Sequence, residues 1–284
     1  MIESSTLYST QPDIATALNI IHPVHQEHNV LQPFAHAVKL AQASKGALEI
    51  IDVRSKDKKT TETPSVRTLL EQWGVLPAQS TRSAVADLGL KVTKIIKSGN
   101  KKREITKRFN RHDHDILVIG TQPHKHLPRF FGTDLEELLA HYFNETTIFI
   151  PQKGRSFVHE KTGAVSIDCI VVPVAESTDC EPSFHLLKQL ISLFPDLKPK
   201  VIGLHVGVTF PHVSPSLLEG INWSEVVRPA SISSSIIDVA NAEKADLILM
   251  TTNGRDSLSQ KIIGSNTEQV LRHAPCPLFA VPLN

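Results

Sequence analysis

Two short stretches near the C-terminus combine residue types that hold an anion. Thr251, Thr252, Asn253, Gly254 and Arg255 follow the apolar run 247–250, and nine residues separate Gly254 from Gly264 and Ser265, which open a helical period. Glycine lets a backbone turn tightly and approach a ligand, and the free N–H groups at a helix start, reinforced by the helix dipole, favour negative charge. Phosphate is the group such a turn suits, while Ser265 is equally competent as a plain N-cap. An earlier stretch repeats the arrangement in weaker form. Gly120, Pro123, Gly132 and Thr133 follow the run 116–119. Here proline stands at the middle position and takes one N–H donor away, and the spacer before Gly132 is eight residues.

The remaining constellations are poorer in chemistry. His22, His25 and His28 sit three apart, and His112, His114, His124 and His126 flank the first turn. In a chain with 14 histidines close pairs arise by chance, and no cysteine joins them as a ligand set needs, so no metal is expected. Lys101, Lys102, Arg103, Lys107, Arg108 and Arg111 crowd one helical period whose apolar face is Ile105 and Phe109, which reads as a solvated face or as a patch for an anionic partner. The patterns GxSxG, GxxxxGK[ST] and HExxH are all missing, and an enzyme is not expected. Cys169, Cys180 and Cys276 lack CxxC spacing and read as reduced and buried.

The elements that must position these turns occur twice. Asp115 and the run 116–119 match Asp246 and the run 247–250; Gly132-Thr133 matches Gly264-Ser265; and strands ending in Pro151 and Pro282 close the two copies. The openings match as well, with a proline fourth in Ile20–Pro23 region of one and at Pro173 of the other. Apolar runs near 18–23, 47–53, 91–97, 116–119 and 147–150 alternate with helical periods at 33–43, 64–74, 102–112 and 133–142. The second copy gives strands at 169–174, 201–206, 226–227, 247–250 and 278–281, with helices around 184–194, 232–240 and 262–271. Near-continuous apolar strands alternating with helices imply an α/β class with parallel sheets covered on both faces. The expected organisation is a domain at 1–151, a polar linker at 152–165 and a second domain at 166–284. In open sheets of this kind the ligand lies beyond the carboxyl ends of the strands at the switch in strand order, which points to the turns after Ile119 and Met250.

The segment from Met250 to Arg255, followed by Gly264-Ser265 and the run to Pro277, resembles the C-terminal signature of the universal stress protein family. In that family a Gly-x2-Gly-x9-Gly-Ser/Thr motif cradles the phosphates of ATP. The resemblance is tight over that segment and loose over both copies. It implies two tandem Rossmann-like domains, each an open parallel sheet of about five strands with helices on both faces, whose last strands pair across a pseudo-twofold. It also implies a nucleotide site in the second copy built from Thr251, Asn253, Gly254, Arg255, Gly264 and Ser265, with Val172 and Ala175 at the end of the first strand, and a degenerate one in the first copy at Gly120, Gly132 and Thr133. The departures are specific: Thr251 replaces the first motif glycine, and the place where nucleotide-binding members carry an Asp is Ala175 in one copy and His25 in the other. The implied function is a stress-response protein that binds an adenine nucleotide, ATP with its Mg²⁺, and acts by conformational change through protein partners. A ligand-free interaction scaffold with degenerate loops is the alternative.

Composition narrows the partners. Thirty Lys and Arg against 29 Asp and Glu leave a formal charge of +1, so no global field draws the chain to nucleic acid or an anionic membrane. The longest apolar run, Cys169 to Ala175, is far short of the roughly 20 residues that span a bilayer. The first residues carry an acid where a secretory signal is basic, so a cytoplasmic protein is expected. With the pairing of copies satisfied inside one chain, a monomer is sufficient and a homodimer of tandem chains is compatible.

Overall fold

The computed structural model describes residues 17–24, 31–54, 65–109, 114–121, 129–130, 133–134, 146–175, 180–252 and 265–283. The first half runs β1 (Asn19–Pro23), α1 (Leu31–Ala43), β2 (Ala47–Arg54), α2 (Val66–Gln72), α3 (Arg82–Asp87), β3 (Lys91–Ser98), α4 (Lys101–Phe109), β4 (Ile116–Thr121), the short pair β5 (Arg129–Phe130) and β6 (Thr133–Asp134), and β7 (Thr146–Pro151). The second half runs β8 (Cys169–Pro173), α5 (Glu181–Leu193), β9 (Lys200–Val206), α6 (Pro215–Leu218), β10 (Asn222–Arg228), α7 (Ile232–Ala242), β11 (Leu247–Thr252), α8 (Ser265–His273) and β12 (Leu278–Pro282).

Ten of these strands form one sheet in the order β10-β9-β8-β11-β12-β7-β4-β1-β2-β3. All neighbours are parallel except β12 and β7, which pair antiparallel with Phe279 opposite Ile148. Each half therefore has the same internal order, and the two end strands expected to lie together are hydrogen-bonded to each other. Alternation of side chains along each strand separates two apolar layers. One holds Ile20, Phe34, Leu70, Val172, Phe184 and Phe279 beneath α1, α2 and α5; the other holds Ile21, Ile105, Ile236, Val270 and Leu278 beneath α4, α7 and α8. Both layers continue across the β7–β12 junction, since Ile148 joins the first and Phe149 the second.

The acid that precedes each fourth strand has a definite job. Asp115 Oδ2 accepts from the Asn19 amide at 2.7 Å, and Asp246 Oδ2 accepts from the amides of Asp168 at 2.7 Å and Cys169 at 3.1 Å. Each carboxylate thus satisfies backbone donors at the start of the first strand of its half, just before that strand's ladder with the fourth strand begins.

The segment between the halves is polar in sequence yet packed. Phe157 and Val158 are buried in the first apolar layer. Arg155 donates from Nε to the Ala245 carbonyl and from Nη2 to the Ala240 carbonyl, both at 2.7 Å, so a cation caps the end of α7. On the other side Ser156 Oγ meets His36 Nε2 at 3.2 Å, and Trp73 Nε1 donates to the Glu160 carbonyl at 2.9 Å. The connector is tied to both halves.

Three local departures from the sequence expectation have plain causes. Helix α3 has a single buried apolar side chain, Val85, too little periodicity to mark it. Helix α6 is one turn begun by Pro215, shorter than the window in which a period can be read. Thr133 and Asp134 stand in β6, paired with Phe130 and Arg129, rather than beginning the helix expected at 133–142; residues 135–145 lie outside the described residues.

Candidate functional site

The switch in strand order falls between β8 and β11 in the second half and between β1 and β4 in the first. In the second half the ladder pairs Ile170 with Leu247 and Val171 with Ile248 and then stops, although β8 continues to Pro173 and β11 to Thr252. Adjacent crossover connections leave in opposite directions at such a point, so the carboxyl ends separate into a crevice.

The residues named from sequence take different places around it. Val172 is fully buried among apolar side chains. Ala175 is exposed just past the end of β8, and Thr251 is half-buried at the end of β11. Beside it Thr252 is buried and donates from Oγ1 to the Val281 carbonyl at 3.3 Å, a bond that holds the end of β11 to β12. Helix α8 begins at Ser265 and is anchored by Ser233 Oγ, which donates to Gln269 Oε1 at 2.5 Å. Asn253, Gly254, Arg255 and Gly264 lie outside the described residues, as does the side chain of Ser265.

His205, a residue that sequence reasoning passed over, supports this crevice from behind. Its Nδ1–H donates to the Val174 carbonyl at 2.8 Å and so fixes the chain just before Ala175. The ring stands 6.1 Å from Phe210, which in turn lies 6.1 Å from Trp223. Gly203, opposite Val172 in the β8–β9 ladder, makes room for that aromatic group; a Cβ there would overlap the Trp223 indole. The signal in the sequence was the isolated glycine inside an apolar strand, which marks a close approach.

The first half builds the same crevice and fills it differently. The β1–β4 ladder stops after Ile21 and Leu117. At the next position His22 stands where Val172 stands in the second half, and its Nδ1–H donates to the Val118 carbonyl at 2.9 Å. The imidazole is buried, which pushes its pKa from 6.5 down to about 4 against the opposing effect of the backbone bond, and Nε2 has no hydrogen-bond partner. Gly120 packs against α1, where an added Cβ would come within 3.0 Å of Pro33 Cγ, so its smallness already serves packing. Thr133 lies in β6 with its side chain outside the described residues, and Gly132 and Pro123 lie outside them entirely.

The other candidate groups separate in space. His114 is buried near Glu49, whose carboxylate is gripped by both Arg108 Nε and Nη2 at 2.5 Å. Among the described residues no three His, Cys, Asp or Glu side chains gather as a metal site needs; His25, His28, His112, His124 and His126 lie outside them. All three cysteines are buried. Burial raises the Cys169 thiol to about 11 and the Cys276 thiol to about 12, so both are protonated and unreactive at neutral pH. No helix among the described residues is long and apolar enough to cross a membrane.

Known proteins are similar to this chain in sequence and in fold. Residues 19–143 and 215–282 match the profile of the Universal stress protein family. Universal stress protein Sll1654 from Synechocystis is 24% identical over 151 residues, covering 45% of this chain and 94% of that protein. Universal stress protein MJ0531 from Methanocaldococcus jannaschii is 39% identical over 49 residues, and the match spans only 29% of that relative's length. Among solved structures, a universal stress protein from Archaeoglobus fulgidus superposes with a TM-score of 0.62 at 16% identity, covering 94% of this chain and 97% of that one, a likeness of fold. With two matched segments distributed over two equivalent halves of one sheet, the chain belongs to the universal stress protein family and carries its unit in tandem.

Proposed function

We propose that this protein binds an adenine nucleotide, ATP with Mg²⁺ accompanying it, in its C-terminal half, and acts in the cytosol in stress response as a non-enzymatic component. In this reading the phosphates lie between the turn at 251–255 and the start of α8 at Gly264-Ser265, and ordering that loop changes the surface offered to protein partners. The observation that supports it most is the contrast between the two switch points: the β8–β11 crevice has Val172 at the position where His22 bonds across the β1–β4 crevice. Exposed Ala175 and half-buried Thr251 at the strand ends are small enough to admit a ligand there. Backbone donors and a helix N-terminus suit phosphate oxygens, which is the part of a nucleotide these residues fit best. Ala175 offers no carboxylate to a ribose hydroxyl, so affinity in this reading rests on the phosphates.

The test is the melting temperature of the full chain with and without ATP and Mg²⁺. Ligand at about 100 times its dissociation constant adds roughly 2.7 kcal/mol of stability. Gly264→Val is expected to abolish the nucleotide-dependent shift by placing a side chain where phosphate approaches, and Ser265→Ala to reduce it. Because Ser265→Ala also alters the first turn of α8, the quantity compared is the shift caused by nucleotide in each variant. A wild-type protein that shows no shift at millimolar ATP refutes the reading.

A further inference from the structure

We propose that the outer edge of β3 is a docking strand for an acidic, extended polypeptide segment. Nine of the chain's 30 Lys and Arg fall within residues 91–111, where Glu104 is the one acid. Three of them, Lys91, Lys94 and Lys97, stand on the edge strand β3 itself. Lys91, Lys94, Lys97, Arg103 and Lys107 are exposed, and none of the ion pairs among the described residues uses them.

Among the described residues β3 is the last strand of the sheet on its side and pairs with β2 alone, in unbroken parallel register from Lys91 to Ser98. The Lys91 amide donates to the Gly46 carbonyl at 3.0 Å, so Lys91, Thr93, Ile95 and Lys97 turn their backbone groups toward β2. Val92, Lys94 and Ile96 turn theirs outward. Their side chains are exposed, with Val92 at 37% and Ile96 at 50%. A peptide added there would gain main-chain hydrogen bonds from three residues, apolar contact with Val92 and Ile96, and charge pairing with the lysines, which together are the elements of strand addition.

Charge selects among occupants. A second copy pairing β3 with β3 would set lysine against lysine, which is unfavourable. A single-stranded nucleic acid would draw on stacking platforms, and β3 has no aromatic residue. An acidic strand with alternate apolar residues satisfies both the charge and the pleat.

The experiment uses the full chain and a fluorescent peptide of about ten residues alternating Glu and Val, its Gln-Val analogue, and a thymidine oligonucleotide of about 20 nucleotides. The acidic peptide is expected to bind at least roughly tenfold tighter than the analogue and to weaken as salt rises from about 0.05 to 0.5 M. Lys94→Glu should weaken it at least roughly tenfold, and Ile96→Pro, which removes an outward N–H, should abolish it while the melting temperature stays near that of the wild type. Should the proline variant melt early, Lys94→Glu decides the matter alone. Equal binding of the two peptides, unchanged binding by Lys94→Glu, or tighter binding of the oligonucleotide than of the acidic peptide overturns the proposal.

Discussion

The Nδ1 atom of His22 lies 2.9 Å from the carbonyl oxygen of Val118, so a side chain of β1 bridges the point at which β1 and β4 stop pairing. In the second half Val172 occupies the corresponding position within the apolar layer. Two halves with one topology therefore have chemically different switch points, and the His22 imidazole is one of the differences.

That imidazole makes the fold acid-sensitive. Burial holds both His22 and His36 at about 4, whereas an unfolded chain takes up the same protons near 6.5. Below about 6.5 the unfolded state binds protons the folded state refuses, so stability falls as pH drops from about 6.5 towards 4, by at most about 1.4 kcal/mol per pH unit for each histidine. His22→Val, which copies the second half, is expected to make that slope shallower. Urea unfolding at a series of pH values measures it, and an unaltered slope in the variant would show that His22 is not the titrating group.

The paired carboxylates offer a second measurement. Asp246 accepts from two amides and Asp115 from one. Removing either leaves backbone donors at a strand start without their partner, at about 1–3 kcal/mol. Asp246→Ala is expected to cost more than Asp115→Ala in denaturant midpoint, and the reverse order would mean the second amide contact adds nothing.

Arg155 tests how the connector holds the halves. Arg155→Ala removes both bonds to the end of α7 while leaving Phe157 and Val158 in the apolar layer. The expected loss is about 1–3 kcal/mol, with amide exchange accelerated first in α7 and at residues 240–245. Exchange accelerated instead in β7 and β12 would locate the clamp's effect at the strand pair.

Local order was legible without coordinates because hydrophobic periodicity is a local record of which face is buried. The runs at 116–119 and 247–250, the helical stripe from Phe184 to Phe194 and the recurring strand-plus-proline ends mark an α/β class and a repeat, while the family resemblance rests on the segment from Met250 to Pro277. The glycine and hydroxyl spacing after Met250 likewise marks where phosphate chemistry would belong. Periodicity says nothing about which distant edge a strand will join. The meeting of β7 with β12 is implied by the repeated strand-plus-proline ends and the family resemblance, whereas the clamping of a polar connector by Arg155 and the reach of His22 to a carbonyl 96 residues away are contacts between segments whose sequences carry no mark of each other. Only folding the whole sheet brings those groups within hydrogen-bond distance, so the tertiary structure adds the His22 bridge to the difference that Pro123 and the eight-residue spacer already mark in the sequence.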